Sequence, residues 1–340
     1  MPAMRMPRPR MIAVLAIAAV AASALLSACA PTAAPPPAGA RELSGDLSAH
    51  DPAYAVSDGV EYVYSTGNQN VADGSIQIRS SSDGTTWKYR GEVWKQKPDW
   101  LTEAVPGVSN LWAPELIEHE GTWYLYYAAS AFGKNTSVIA LATNSTLDPD
   151  DPDYAWVDQG EVLASTAGDD FNAIDPGVIV DAAGEPWMAF GSFWSGIRMV
   201  SLEWPDGKRA DAAEPLRLAD RGVPPNAIEA PYIVEHDGDY FLFVSFDSCC
   251  KALASTYHVM VGRADEVTGP YLDRDGTPLL EGGGTSVLEG DGGVHIGPGG
   301  QSAADGTLAV HFYDGRHSGA FQLALHPLGW DSEGWPIVHW

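Results

Sequence analysis

Cations are scarce in this chain. Lys and Arg together number 19 against 45 Asp and Glu in 340 residues, a formal charge of −26. A nucleic-acid partner requires clustered cations, so this balance excludes one, and it also excludes adsorption to a bare anionic membrane. The acids are scattered rather than bunched, so they read as a solvated surface. Cysteine is rarer still, with three residues, two of them adjacent at Cys249–Cys250. No His or Cys group has zinc-ligand spacing, and Gly282–Gly284 lacks the Lys-Ser/Thr that a phosphate-cradling loop needs. Long runs of apolar residues at the 3.6 period are also missing, which excludes a helical fold. Aromatics are plentiful, with 12 Trp and 13 Tyr, and 45% of the chain is hydrophobic. A sizeable core is therefore expected, built from strands.

The first residues stand apart. Arg5, Arg8 and Arg10 precede the apolar run Met11–Leu26, which is shorter than the roughly 20 residues of a membrane-spanning helix. Residues 1–28 therefore read as an export signal. The stretch Leu26-Ser27-Ala28-Cys29 resembles a bacterial lipobox, which implies cleavage before Cys29 and lipidation of its thiol. The alternative is an ordinary secretory signal. Lipidation is preferred, because a Cys at that position has no packing role in a removed segment. Residues 29–41, rich in Pro and Ala, read as a tether. Residues 42–340 show no linker and are expected to form one domain. The expected protein is exported, anchored only through its lipid, and a monomer.

Within that domain a turn glycine followed by an aromatic strand recurs at Gly59, Gly121, Gly184, Gly238 and Gly306. Each glycine has a proline seven or eight residues upstream, at Pro52, Pro114, Pro176, Pro231 and Pro298. Such a unit reads as a hairpin whose inner strand starts at the proline, where a missing N–H is tolerated, and whose turn holds the glycine. Five such units predict an all-β, five-bladed β-propeller. The inner strands of a propeller converge on its axis, so residues far apart in sequence meet there. His-Asp-Pro at 50–52, Asn-Ala-Ile-Asp-Pro at 172–176 and Asn-Ala-Ile-Glu-Ala-Pro at 226–231 put Asp51, Asp175 and Glu229 at what read as equivalent positions. An Asp-Pro step alone is an ordinary turn. Three carboxylates in one register suit glycosidic bond hydrolysis, in which one protonated and one ionised carboxyl face the bond.

The strings HDPAY (50–54), NLWAPEL (110–116), NAIDPGV (172–178), GSFWSGI (191–197), AIEAPYI (227–233) and GPGGQS (297–302) together resemble glycoside hydrolase family 43. The likeness is greatest to its endo-acting 1,5-α-L-arabinanases and covers nearly all of Leu47–Trp340. It implies an inverting enzyme with arabinan or an arabino-oligosaccharide as partner. Asp51 would be the general base, Glu229 the general acid, and Asp175 the group that tunes and orients Glu229. Inversion implies base and acid carboxyls roughly 6.5–9.5 Å apart. The likeness also implies that Asn172, Ala173 and Ile174 line the floor, with Ser192, Phe193 and Trp194 beside them and Trp112 and Gly133 from the second blade. No cofactor is required for the chemistry.

Relatives of this type carry a channel calcium held by a His after Gly-Pro-Gly, where this chain has Gly300. His295 is the candidate to replace it, and packing within the channel is its other reading. The Cys249–Cys250 pair reads either as a disulfide or as two thiols. Two rival functions stand beside the endo-acting one. The first is an exo-acting α-L-arabinofuranosidase or β-xylosidase on the same scaffold. The second is a non-catalytic sugar-binding propeller lipoprotein.

Overall fold

The computed structural model describes residues 1–2 and 39–340. The expected signal from residue 3 onward, Cys29 and the tether through residue 38 lie outside the described residues. Among those described, the one α-helix is Trp100–Ala104 and no helix is long and apolar enough to cross a membrane.

Five antiparallel sheets form five blades. The inner strands are Ala53–Ser57, Leu111–His119, Gly177–Val180, Ile228–His236 and His295–Ala304. Each pairs with the aromatic strand expected from the sequence: Val60–Ser65, Thr122–Ala129, Pro186–Phe190, Asp239–Phe246 and Thr307–Asp314. The hairpin glycines all have φ between +69° and +89°, and Asp58, Glu120, Asp237 and Asp305 before four of them are also left-handed. Two successive left-handed residues make the turn whose twist matches that of the flanking strands.

Alternation sends side chains to both faces of every blade, and both faces are buried between neighbours. The core is accordingly divided into five clusters, one at each blade interface. Tyr126, Met188 and Phe190 fill the gap between the second and third blades, for example. Phe243 and Val310 fill that between the fourth and fifth. Tyr124 is buried in the core, with Trp123 and Trp187 partly buried against the clusters.

The fifth blade has three strands of its own. Its outer strand Ala320–Pro327 is covered by the start of the domain: Arg41 N–H donates to Leu325 O at 2.8 Å, and Leu323 N–H to Leu47 O at 2.8 Å. The same segment continues through Ser44–Gly45, which pairs in parallel with the outer strand of the first blade. The ring is thus closed by residues from both ends of the domain.

Phe243 is fully buried at the interface between the last two blades. Phe243→Ala is expected to lower unfolding free energy by about 3–5 kcal/mol, read from the urea midpoint. A loss under about 1 kcal/mol would mean that this interface carries little of the fold.

Candidate active site

The proline at or near the start of each inner strand is preceded by a left-handed residue in all five blades. These are Asp51 (φ 50°), Ala113 (39°), Asp175 (56°), Ala230 (52°) and Gly297 (57°). In a residue with a Cβ this conformation costs about 1–3 kcal/mol, so something must hold it. At three of the five, the amide is turned to a side chain of the preceding blade in the ring. Asp51 N–H donates to His311 Nδ1 at 3.1 Å, Ala113 N–H to Thr66 Oγ1 at 2.9 Å, and Ala230 N–H to Asp175 Oδ2 at 3.0 Å. One correction to the sequence reading follows. Asp51 and Asp175 are equivalent, but the equivalent in the fourth blade is Ala230. Glu229 stands one residue earlier, beyond a register shift between Glu229 and Tyr232.

Asp51 and Asp175 nevertheless line one cavity on the axis, and Glu229 is near enough to feel the Asp51 charge and to act on Asp175. Their surroundings differ. Asp51 Oδ2 accepts from Thr66 Oγ1 at 2.6 Å and lies 2.8 Å from His50 Nδ1. Thr66 accepts the Ala113 amide proton, so its own proton is directed to Asp51. Burial pushes the Asp51 carboxyl up, but His50, His311 and Thr66 outweigh it and hold the group well below the usual range. Asp51 is ionised.

Glu229 is pushed the other way. Burial raises it and the Asp51 charge adds to this, against hydrogen bonds from Ser192 and Tyr257 that favour the ionised form. Ser192 Oγ donates to Glu229 Oε2 at 2.6 Å, and the Tyr257 hydroxyl donates to Oε1. Asp175 is raised well above its ordinary value by burial, then by the charges of Glu229 and Asp51. Asp175 and Glu229 therefore titrate as a pair that resists joint ionisation. An ionised carboxylate and a proton-retaining carboxyl share one opening, and this arrangement can activate water on one side of a bond and protonate the other.

The cavity that Asp51 and Asp175 line measures about 20 Å³, and Glu115, Tyr232, Gln301 and Ser302 line it with them. Glu115 is buried and its carboxyl is raised well above the ordinary value by burial. The Tyr232 hydroxyl donates to Ala303 O at 2.9 Å. Its oxygen is then free to accept from a neutral Glu115.

The channel also decides the calcium question. Among the described residues, His50, Asp51 and His311 are the group whose ligand atoms converge, within 4.8 Å. Calcium takes about six to eight oxygen ligands. Here two of three donors are imidazoles, and His311 Nδ1 is already bonded to the Asp51 amide. A Cβ at Gly300 would lie 2.6 Å from Asp51 Oδ1 and 2.8 Å from His311 Nδ1, so the His311 ring takes space a side chain at 300 would need. This donor set does not suit calcium. His295 does not join it: it pairs with Asp291 at 2.7 Å and stacks on Trp340. There it lines a cavity of about 310 Å³ together with Tyr257, His258 and Glu289.

The other expected contacts divide into supports and rim. Asn172 is buried and accepts the Ser137 hydroxyl proton at 2.7 Å, Ala173 is fully buried in the core, and Ile174 is buried. Ala173 has no surface to offer a ligand, so this trio acts as support beneath Asp175. Ser192 is buried against Glu229. Phe193 and Trp194 form a left-handed turn on which Trp194 is exposed, Trp112 is half-buried, and Gly133 sits in an exposed turn. Sequence reasoning missed Thr66, Tyr257, Glu115, His311 and Tyr313. His311 and Tyr313 fall within an aromatic strand that reads as core.

A family model for glycosyl hydrolases family 43 matches residues 45–336. An extracellular exo-α-(1→5)-L-arabinofuranosidase of Cellvibrio japonicus is 38% identical over 309 residues, 86% of each chain. An extracellular endo-α-(1→5)-L-arabinanase of Bacillus subtilis is 36% identical over 321 residues, 94% of this chain and 95% of the relative. The solved endo-arabinanase from Bacillus licheniformis superposes with a TM-score of 0.82 at 38% identity, covering 87% of this chain and 99% of its own.

Two titrations check the electrostatics. Ser192→Ala removes a bond that favours ionised Glu229, so the Glu229 titration should move to higher pH in carboxyl ¹³C NMR; a downward shift contradicts the assignment. Glu115 has a folded-state pKa above its unfolded value, so its contribution to stability is full below about 4.5 and is lost as pH rises toward the folded value. Glu115→Gln should therefore melt higher than wild type in alkaline buffer, with the advantage vanishing in acid.

Proposed function

The chain belongs to glycosyl hydrolases family 43, and from that premise we propose that it hydrolyses arabinan, cutting internal α-1,5-L-arabinofuranosidic bonds with inversion. The observation that carries this reading is the contrast in partners: Asp51 is held by His50 and Thr66, while Glu229 is buried against the hydroxyls of Ser192 and Tyr257. Asp51 is the general base. Its Oδ2 is occupied by His50 and Thr66, which leaves Oδ1 to take a proton from the attacking water. Glu229 is the general acid and donates to the leaving oxygen. The hydroxyls of Ser192 and Tyr257 then stabilise the carboxylate that forms. Asp175 receives the Ala230 amide and so fixes the peptide that follows Glu229, while its proximity resists early loss of the acid proton.

Substrate would lie across the rim, where Trp194 and Trp112 present aromatic faces to the C–H faces of furanose rings. The chemistry needs no cofactor. Export and lipid attachment at Cys29 complete the proposal, resting on the basic start, the apolar run and Leu-Ser-Ala-Cys.

An exo-acting enzyme would use the same three carboxyls, and relatives of both modes are similarly identical. Linear debranched arabinan separates the modes, with viscosity followed against reducing ends. A fast fall in viscosity at low bond cleavage is the expected result, whereas release of monomer alone overturns internal cleavage. Absence of any product favours a sugar-binding protein.

The roles have their own check. Glu229→Ala should lower kcat on arabinan by about 10²–10⁴ while sparing a substrate with a good leaving group. Asp51→Ala should fail on both, since water activation is needed whatever departs. Near-full activity in both variants would exclude this assignment.

A further inference from the structure

A hydrogen-bonded path leads from the Asp51 carboxylate to an exposed turn in the fourth blade. Asp51 Oδ2 lies 2.8 Å from His50 Nδ1, and His50 Nε2 lies 2.9 Å from the Tyr313 hydroxyl. The Cys250 amide donates to that hydroxyl at 2.7 Å. Cys250 is exposed, has φ 65°, and is joined by a disulfide to Cys249, its neighbour in the chain. The turn belongs to the loop between strands Asp239–Phe246 and His258–Ala264. Tyr313 and His50 come from the fifth and first blades, so the path crosses three blades.

Donor and acceptor chemistry orders the path. A carboxylate only accepts, so His50 Nδ1 carries a proton. A backbone amide only donates, so the Tyr313 oxygen accepts from Cys250. Nε2 and the Tyr313 hydroxyl then share the remaining hydrogen bond at 2.9 Å. Packing holds the imidazole at the same time: His311 stacks on it at 3.7 Å between centroids, and Phe321 meets it edge-on at 5.2 Å. Cys250 Sγ approaches Nε2 to 4.0 Å. With the ring plane set this way, the amide of Cys250, beside the Ser255 side chain, fixes the Tyr313 hydroxyl.

We infer that the Cys249–Cys250 turn is a positioning element for Asp51, acting through Tyr313 and His50. This rests on the reading of Asp51 as general base. The disulfide closes adjacent residues into a small ring, restricting the peptide that presents the Cys250 amide to Tyr313. Reduction opens that ring. With a water-soluble phosphine, phosphorus takes oxygen from water and becomes the phosphine oxide, while the two hydrogens end on the two sulfurs as thiols. The freed peptide can then turn away, and Tyr313 and His50 lose their fixed hydrogen-bond direction.

The test measures kcat and KM of the full chain on debranched arabinan, before and after phosphine reduction, in wild type and Tyr313→Phe. Reduction should lower wild-type kcat about three- to tenfold, the scale of one lost hydrogen bond, with KM nearly unchanged. The loss should be equal on a substrate with a good leaving group, because the base is required there too. In Tyr313→Phe the path is already cut, so reduction should have no further effect. Unchanged kcat on reducing wild type, or an equal fall in both proteins, overturns the inference. Should Tyr313→Phe fail to fold, Cys249→Ser/Cys250→Ser with an unaltered melting temperature takes its place. A kcat loss at constant KM then supports the inference, and wild-type kcat overturns it. Asp51→Ala run in parallel separates the two levels. If it stays active, the base assignment fails; if it is inactive while reduction has no effect, this inference alone fails.

Discussion

The structure depends on a backbone kink repeated around the axis. Each inner strand has a proline directly before it or as its fourth residue, and the residue ahead of that proline is left-handed in every blade. Proline removes a ladder donor, and the kink turns the preceding amide out of the sheet. That amide would be an unpaired buried donor unless a side chain met it. The partners are His311, Thr66 and Asp175, each from the neighbouring blade. Bonds that relieve the kinks therefore also join the blades, and all three partners carry or touch a carboxyl of the site. Fold and chemistry share the same few atoms.

Opposed surroundings, rather than residue type, separate the roles of the carboxyls. Asp51 and Asp175 occupy the same position in the repeat, yet one is held ionised by His50, His311 and Thr66 while the other is held neutral by burial and by Glu229. The difference lies in the groups nearest each carboxyl. At Asp51 its own blade brings an imidazole and a hydroxyl. At Asp175 the neighbour brings a carboxyl together with one amide. Glu229 lies between these limits, with two hydroxyl donors that ease its ionisation.

The ring and its centre were legible in the sequence because they repeat. Proline and glycine recur in fixed register, and the five hairpins follow from that. The offset of Glu229 was not legible: Asn-Ala-Ile precedes both Asp175 and Glu229, but a residue inserted before Pro231 shifts the kink to Ala230. Thr66, His311 and Tyr313 were also hidden. They lie on or just after aromatic strands, where alternation alone cannot distinguish a side chain packing between blades from one reaching the axis. His295 seemed a channel residue by its nearness to Gly-Pro-Gly, but it precedes the register shift between Ile296 and Gly299 and points to Asp291 and Trp340. Ala173 looked like a floor residue from its neighbours, yet its methyl faces the core between the second and third blades.

The segment that covers the outer strand of the fifth blade has a consequence for assembly. Arg41 and Leu47 must find Leu325 and Leu323, the most sequence-distant pairing in the domain's sheets. Loop-closure entropy grows slowly with length, but such a contact forms only after nearly the whole polypeptide exists, and high contact order slows folding. Until then the edge of Ala320–Pro327 has unpaired amides and carbonyls, a template for another chain. Until this clasp forms, the ring is an open arc with an unpaired edge.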